Sequence, residues 1–203
     1  MIQAETPVLV LASQSASRRE LLQSAGLIFS AHPAHIDEAG IKQSARAEGA
    51  SVADVAVLLA EMKAARVSAR ISDALVIGAD QILVCDGVWF DKPASAEQAR
   101  EHLLFLRGKT HELVTSIVCT RAGARLWHHI AGPRLTMRSF SDAFLAEYLK
   151  AEGDAVTETV GAYRLEGLGV HLFDRIEGDH SAILGLPLLP LFGFLRQHGV
   201  LAS

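Results

Sequence analysis

The feature that most constrains this chain is a short polar loop between an apolar run and a helical pattern near the N-terminus. Residues 8–12 have the pattern of a short buried strand, and residues 20–22 begin a helical pattern that closes at Gly26. The loop between them, residues 13–17, is therefore expected to present free backbone N–H groups and the positive end of a helix dipole. Anions bind readily at such a place.

The side chains of this loop strengthen the expectation of an anion site. Ser13 and Ser15 add hydroxyl donors, and Arg18 and Arg19 add fixed positive charge, which together suit a phosphate group. The structural alternative is that Ser17 only caps the helix and that the two arginines lie on a solvated face. The loop sequence alone leaves both interpretations open.

A second stretch places a carboxylate directly after an apolar run. The run 75–78 predicts a strand, and Asp80 is then expected at its C-terminal end, where ligands gather in open α/β sheets. Residues 82–90, with a central Asp-Gly pair, predict a hairpin that brings Lys92 a short chain distance from Asp80. The two side chains form either a plain ion pair or, beside a phosphate loop, a metal ligand and a neutralising cation.

Composition is that of an ordinary globular protein. The chain has 203 residues, 50% of them apolar and 21% charged, and we expect a single domain over residues 1–203. The net charge of −4 gives no sign of a nucleic-acid partner. Cys85 and Cys119 lie in apolar patterns without metal-ligand spacing, as reduced core cysteines of a cytoplasmic protein do. Neither a signal peptide nor a membrane-spanning segment is predicted.

Strand and helix patterns are mixed along the whole chain, which predicts one α/β unit without repeats or linkers. Helices are predicted over about 51–68, 96–106 and 142–150, with a last helix ending at Gly199. Strands are predicted over 28–32, 111–120, 125–136 and 170–176. The polar, Ala-rich segment that precedes residue 51 has no assigned element.

The polar loop, the stretch around Asp80 and several further short motifs follow one another as they do in the Maf family of nucleoside triphosphate pyrophosphatases. The chain resembles this family over nearly its whole length. The family's opening pattern, Leu-Ala-Ser-x-Ser-Pro-Arg-Arg, is similar to residues 11–18, with Ala16 in place of the proline and Ser17 in place of the first arginine. The other shared motifs, each weak by itself, are Asp37-Glu38, Lys63-Ala64, Gly78-Ala79-Asp80, Lys92-Pro93, residues 108–115, Glu177-Gly178-Asp179 and Gly185-Leu186-Pro187-Leu188.

The resemblance implies a fold and a reaction. The fold is a mixed, highly twisted sheet flanked by helices, in two lobes around a cleft, of the Maf and inosine-triphosphatase type. The reaction is metal-dependent cleavage of a nucleoside triphosphate between its α- and β-phosphates. Asp80 would accept the proton of the attacking water, and Glu38 would share Mg²⁺ or Mn²⁺ with Asp80. The residues assigned to triphosphate binding are Ser13, Ser15, Arg18, Lys63 and Lys92, and a homodimer is expected.

Base preference depends on three positions. Family members that act on dTTP and UTP carry Thr after the catalytic Asp and Gln in a Gly-rich segment near the C-terminus, whereas a sister group that acts on 7-methyl-GTP carries Gln and Glu. This chain has Gln81 and Glu166, and a carboxylate accepts hydrogen bonds from guanine and offsets the charge of the methylated ring. Ser17 replaces the tryptophan common in the sister group, which removes an aromatic face. We expect 7-methyl-GTP, with dTTP, UTP or CTP as the alternative.

Several of these residues also have a purely structural interpretation. Glu38 is otherwise a solvated loop carboxylate, and Lys63 a surface lysine on a helix. Asp179 either helps to bind the metal or caps the following turn, and His111 is expected to be a strand residue with a satisfied ring. A nucleotide-binding regulator of cell division remains the second class of function, because sequence does not exclude such a role.

Overall fold

The computed structural model describes residues 2–202. Strands in this part of the chain are β1 (Leu9–Leu11), β2 (Phe29–Ala31), β3 (Leu75–Cys85), β4 (Val88–Phe90), β5 (Thr110–Arg121), β6 (Ala124–Ala131), β7 (Arg134–Met137) and β8 (Phe173–Glu177). The helices are α1 (Ala16–Ser24), α2 (Glu38–Ala47), α3 (Val52–Ser68), α4 (Ala96–Leu106), α5 (Asp142–Glu152), α6 (His180–Ile183) and α7 (Leu188–Gln197). Short 3-10 turns cover Gly153–Thr157, Val160–Ala162 and Leu168–Leu172.

These strands form one sheet in the order β2-β1-β3-β5-β7-β8, with β4 paired to β3 and β6 paired to β5. β1 runs parallel to β2 and β3, whereas the β3–β4, β5–β6, β5–β7 and β7–β8 pairs are antiparallel. The predicted α/β class with a mixed sheet flanked by helices is therefore confirmed. The single domain and the cleft stay predictions.

The chain divides into two compact units. Unit 1 contains the residues up to Gln81, Val114–Ala131 and the residues from Asp179 on, and unit 2 contains Ile82–Leu113 and Gly132–Gly178. The strands β3 and β5 each begin in one unit and end in the other.

In unit 1, the two faces of the sheet are covered by different helices, because alternate side chains of a strand point to opposite faces. One buried cluster joins β1 and β3 to α1 and α7 through Leu9, Leu11, Leu75, Ile77, Leu22, Leu191, Phe194 and Leu195. The opposite cluster joins the same strands to α3 through Val10, Ala12, Val76, Ala64 and Val67. Asp80 follows Val76 by four positions on β3, so it points to the α3 face.

The position of Asp80 in its strand differs from the prediction. The sequence predicts a strand that ends near Gly78 and a separate hairpin, whereas β3 is one continuous strand of 11 residues with Asp80 inside it. Its start pairs with β1 and its last three residues pair with β4. The parallel neighbour β1 ends beside Ile77, whose carbonyl accepts a bond of 2.8 Å from the amide of Ala12. Asp80 therefore lies just beyond the C-terminal end of β1 rather than of its own strand.

Two helices also differ from the prediction. α1 begins at Ala16 instead of residue 20, and its N-cap is Ser15 rather than Ser17. The hydroxyl of Ser15 accepts a bond of 3.3 Å from the amide of Arg18, which nucleates the helix four residues earlier. α2 was not predicted, because its segment is rich in small polar residues; its N-cap is Asp37, whose carboxylate accepts from the amide of Gly40.

Two predicted strands are shorter in the structure. The expected strand over 125–136 is divided into β6 and β7 at Gly132 and Pro133, since proline has no N–H group to donate to the ladder. The expected strand over 170–176 begins only at Phe173, after a 3-10 turn. The hairpin prediction is confirmed, because Asp86 and Gly87 have φ values of 50° and 77° as a type I′ turn requires. None of the helices within residues 2–202 combines the length and apolarity needed to cross a membrane.

Candidate active site

One lysine and two carboxylates lie together on the α3 face of unit 1. Lys63 Nζ is 2.6 Å from Asp80 Oδ1 and 2.7 Å from Glu38 Oε1. Lys63 and Asp80 are buried, with 7% and 3% of their surface exposed, whereas the side chain of Glu38 is 43% exposed. A single ammonium group thus joins a buried carboxylate to one that faces solvent.

The close approach of α3 to β3 explains why Lys63 reaches Asp80. A Cβ atom on Gly78 would overlap the carbonyl oxygen of Ala60 and would lie 2.8 Å from the Cβ of Ala64. Only glycine lets the helix backbone lie this close to the strand. Lys63 lies between these two alanines in α3, and Asp80 lies two residues beyond the glycine on the same face.

The N-terminus of α2 positions Glu38, its first residue. Asp37 caps the helix by accepting a bond of 3.0 Å from the amide of Gly40, and Glu38 then turns toward Lys63. The interpretations of Glu38 as a solvated loop carboxylate and of Lys63 as a surface lysine are therefore wrong. Both belong, with Asp80, to one cluster of charged side chains that extends from the protein interior to the surface.

The two carboxylates differ in their electrostatics. Burial raises the pKa of Asp80 and nearby Glu38 adds to this, while Lys63 and Arg18 oppose it. Burial also acts to raise the pKa of Glu38, but the charge and hydrogen bond of Lys63, with smaller effects of Lys42 and Arg18, hold it below its ordinary value. The surroundings of Asp80 therefore favour its protonated form, and those of Glu38 favour its charged form.

One oxygen of Asp80 is available for a ligand. Asp80 Oδ2 is buried and has no hydrogen-bond partner among residues 2–202, which is a costly state for a carboxylate oxygen. Together with Glu38 it offers the hard oxygen donors that Mg²⁺ or Mn²⁺ prefers. The described part of the chain has no group of three or more acidic, histidine or cysteine side chains suited to a metal. The donor set therefore fits an ion that keeps several waters or substrate oxygens.

The polar loop before α1 is fixed by its own side chains and by Arg18. The hydroxyl of Ser13 accepts from the amide of Ser15 at 3.2 Å. Arg18 donates from Nε to the carbonyl of Gly185 at 2.8 Å, and from Nη1 to the carbonyl of Ala79 at 3.0 Å and to the hydroxyl of Ser13 at 3.4 Å. The side chain of Arg18 thus ties this loop to β3 directly beside Asp80.

The side chain of Arg18 is surrounded by buried groups and lies near two carboxylates. Burial lowers the pKa of its guanidinium, against the opposing charges of Asp80 and Glu38. Gly185 lies beside it with φ of +93°, a conformation that favours glycine, and a Cβ there would also lie 3.0 Å from Nε of Arg18. Arg19 is exposed and Ser17 is half-buried in α1.

Gln81 is held inside unit 1 by its amide group. Its Nε2 donates to the hydroxyl of Thr115 at 2.7 Å and lies 3.0 and 3.1 Å from the carbonyls of Ala182 and Ile183. The NH₂ group has only two hydrogens, so these acceptors use it completely. Only the carbonyl oxygen of Gln81 is then left to contact a ligand, which makes this residue an acceptor.

The other expected site residues belong to unit 2. Lys92 follows β4 and is exposed, and Glu166 is exposed in the turn at residues 165–167. Near this turn Arg164 donates from Nε and Nη2 to the buried Oε2 of Glu152 at 3.0 and 2.9 Å. The roles assigned to Lys92 and Glu166 stay predictions.

Sequence reasoning missed the pair of Glu152 and Arg164, although a signal for it exists. Glu152 shares a buried helical face with Leu145 and Tyr148, and a carboxylate on such a face needs a partner.

The sequence left two interpretations of Asp179 open, a metal ligand and a helix cap. In the structure Asp179 is the N-cap of α6, because its carboxylate accepts a hydrogen bond from the amide of Ser181 at 3.1 Å.

Comparison with known proteins places the chain in a family. The family model "Maf-like protein" matches residues 8–198. A nucleoside triphosphate pyrophosphatase of Granulibacter bethesdensis is 57% identical over 95% of this chain and 98% of its own length, and one of Rhodospirillum rubrum is 55% identical over 98% and 99%. A 7-methyl-GTP pyrophosphatase of Rhizobium etli is 47% identical over 97% of this chain and 98% of its own length.

Fold and site together define an α/β protein with a buried carboxylate–lysine pair beside an arginine-anchored polar loop. The chain belongs to the Maf family, since the match covers nearly all of it.

Proposed function

We propose that this chain hydrolyses nucleoside triphosphates between the α- and β-phosphates, releasing a nucleoside monophosphate and pyrophosphate. The observation that carries this is the buried oxygen Oδ2 of Asp80, which lacks a protein partner in the described residues and lies in a cluster with Lys63, Glu38 and Arg18. The names of the relatives at 57% and 55% identity, both nucleoside triphosphate pyrophosphatases, support the same reaction.

The chemistry asked of the protein is positioning and charge control. The oxygen of a water molecule forms a bond to the α-phosphorus, the bond from that phosphorus to the bridging oxygen breaks, and pyrophosphate leaves with the electron pair. Asp80 takes the proton of the water at Oδ2, for which its burial-raised pKa suits it. Lys63 holds the other oxygen of that carboxylate, so the base keeps one orientation.

We further propose that Asp80 and Glu38 hold Mg²⁺ or Mn²⁺, with one lone pair of Oδ2 of Asp80 available to the ion and the other to the proton of the water. Such an ion supplies Lewis-acid neutralisation of phosphate charge when it is bound. Lys63 links the same two carboxylates at 2.6 and 2.7 Å, so these residues already gather around one cation. Ser13, Ser15, Arg18 and Lys92 are proposed to bind the triphosphate.

For the base we propose 7-methylguanine, recognised by Glu166. Its carboxylate would accept hydrogen bonds from the guanine edge and offset the positive charge of the methylated ring. Gln81, whose amide NH₂ is used within the protein, can add an acceptor but not a donor. Relatives named 7-methyl-GTP pyrophosphatase, such as that of Rhizobium etli, support this preference.

The test is pyrophosphate release from a panel of 7-methyl-GTP, GTP, UTP, CTP, dTTP and ATP, with Mg²⁺, with Mn²⁺ and with a chelator. Metal-dependent release that is fastest with 7-methyl-GTP is the expected result. Fastest release from a pyrimidine nucleotide would keep the enzyme and overturn the proposed base. A folded protein that binds a nucleotide without releasing pyrophosphate would instead favour the regulator of cell division.

A further inference from the structure

The segment that carries Glu166 is held at its start by hydrogen bonds, two of them buried. In unit 2, the hydroxyl of Tyr163 lies 2.7 Å from Nε2 of His111 on β5. The hydroxyl of Tyr148 on α5 donates to the carbonyl of Ala162 at 3.0 Å, and the hydroxyl of Thr159 donates to the carbonyl of Tyr163 at 2.8 Å. Two hydroxyls therefore fix the backbone carbonyls of Ala162 and Tyr163, and His111 fixes the side chain of Tyr163, just before the Glu166 turn.

His111 has no other evident task. It is 2% exposed, its Nδ1 is buried without a partner among the described residues, and its ring packs against Tyr163 and Phe173 at centroid distances of 5.6 and 5.9 Å. Burial lowers its pKa to about 4, so the ring is neutral near pH 7. A neutral, enclosed imidazole is a poor partner for phosphate, and its single hydrogen bond goes to Tyr163.

The backbone at this place needs such support. Gly161 has φ of +81°, and a Cβ there would lie 2.6 Å from both Cδ1 of Leu83 and Cε1 of Tyr163. Ala162 has φ of +59°, a conformation that costs energy for a residue with a Cβ and persists only where surrounding contacts enforce it. The hydroxyl of Tyr148 bonds to the carbonyl of the strained residue itself, and the hydroxyl of Tyr163 ties the next side chain to His111.

Beyond Tyr163 the chain closes on itself. Arg164 is bonded to the buried Glu152, and a Cβ on Gly169 would overlap the backbone of Arg164, so both ends of residues 164–169 lie together. Glu166 lies in the turn of this closed loop. A shift of Tyr163 would therefore be passed to Glu166 through a loop that has little freedom to absorb it.

We propose that His111 and Tyr163 are positioning residues for Glu166, and that their hydrogen bond determines how well the protein discriminates between bases. This rests on the proposed function, because it assigns base recognition to Glu166. Neither residue touches the phosphates in this mechanism, so their loss changes selectivity rather than the chemical step.

The test is Tyr163→Phe, which removes one hydroxyl and keeps the ring. We expect KM for the preferred nucleotide of the panel to rise about tenfold while kcat stays within about twofold, with a matching loss of selectivity. In a Glu166→Gln background the same change should leave selectivity unaltered, since coupled residues are not additive. Ser116→Ala, which removes another buried hydroxyl but one that has no partner within residues 2–202, is the matched control and should alter neither constant.

Three outcomes overturn the inference: unchanged selectivity, an equal loss for all nucleotides, or a selectivity change that persists in the Glu166→Gln background. Dissociation constants for the same nucleotides are measured alongside. If the wild-type protein releases no pyrophosphate, the proposed function fails, and the binding selectivity still decides the role of His111 and Tyr163. His111→Leu, with His111→Gln as the polar variant expected to restore selectivity, serves if Tyr163→Phe does not fold.

Discussion

Lys63 and Asp80 form a buried pair in which one carboxylate oxygen is 2.6 Å from the ammonium nitrogen and the other has no partner among the described residues. The lysine therefore orients the carboxylate of Asp80 while leaving one of its two oxygens free to accept a hydrogen bond. A plain structural ion pair would be expected to satisfy both oxygens, because each unpaired buried polar atom is costly. This asymmetry is what directs the proposed chemistry to Asp80.

The first prediction concerns Asp80 as the proton acceptor. Asp80→Asn keeps the shape of the side chain but removes its ability to accept a proton, so kcat should fall by about 10³-fold. Pyrophosphate release under saturating nucleotide and metal measures it. Asp86→Asn, in the exposed hairpin turn, removes a carboxylate without touching the cluster and should keep wild-type turnover. A folded Asp80→Asn protein with normal turnover would contradict the assigned role.

The second prediction concerns pH. Burial raises the pKa of Asp80, and the base is active only when deprotonated, so kcat/KM should fall as pH drops through a value above about 3.9, the ordinary aspartate value. Lys63 opposes this rise, so Lys63→Met should move the acid limb of any residual activity to higher pH. Lys150→Met, an exposed lysine on α5, should leave the limb in place. If the acid limb does not move in Lys63→Met, the limb does not report the titration of Asp80.

The third prediction concerns stability. Lys63→Met leaves the buried carboxylate of Asp80 without its cation and should lower the free energy of unfolding by about 3 kcal/mol near pH 8. The loss should be smaller at pH 5, because protonation removes the uncompensated charge of Asp80. Urea unfolding at the two pH values measures both, again with Lys150→Met as the control. An equal loss at both values would mean that packing, not charge, is responsible.

The fourth prediction concerns the contact between α3 and β3. Gly78→Ala places a Cβ against the carbonyl of Ala60 and should lower the free energy of unfolding by about 2 kcal/mol or more, while pushing Lys63 away from Asp80. Gly193→Ala is the matched control: nothing lies within 4 Å of its added Cβ, and within α7 the change should be neutral or stabilising by up to about 1 kcal/mol. Thermal unfolding measures the stability of both variants. Equal effects would mean that the close approach of α3 to β3 is not the cause of the loss in Gly78→Ala.

The fifth prediction concerns the base of the substrate. Glu166→Gln removes the charge that would offset a methylated guanine, so kcat/KM for 7-methyl-GTP should fall about tenfold relative to that for UTP. Glu158→Gln, an exposed carboxylate of the same unit, should leave this ratio unchanged. A ratio that stays constant in Glu166→Gln would remove Glu166 from base recognition.

Several features of the fold followed from local patterns. The boundaries of α3 and α4 and the hairpin turn at Asp86 and Gly87 agree with the sequence-based prediction, and in the structure Ser51 and Ser95 cap the two helices. Capping hydroxyls and positive-φ turns act over three or four residues, so the sequence carries their signal directly. The start of α1 was placed too late because two serines of one loop, Ser15 and Ser17, have the same local capping chemistry.

What the sequence determined by itself was the inventory of the site: the polar loop, Asp80, Lys63 and Glu38 stand in recognisable motifs. Only the tertiary structure decided their arrangement. Lys63 meets Asp80 because α3 lies against β3 at a glycine, and the amide of Gln81 is turned inward because its acceptors come from β5 and α6. Such contacts join positions far apart in the chain, and no local pattern records which of them will meet.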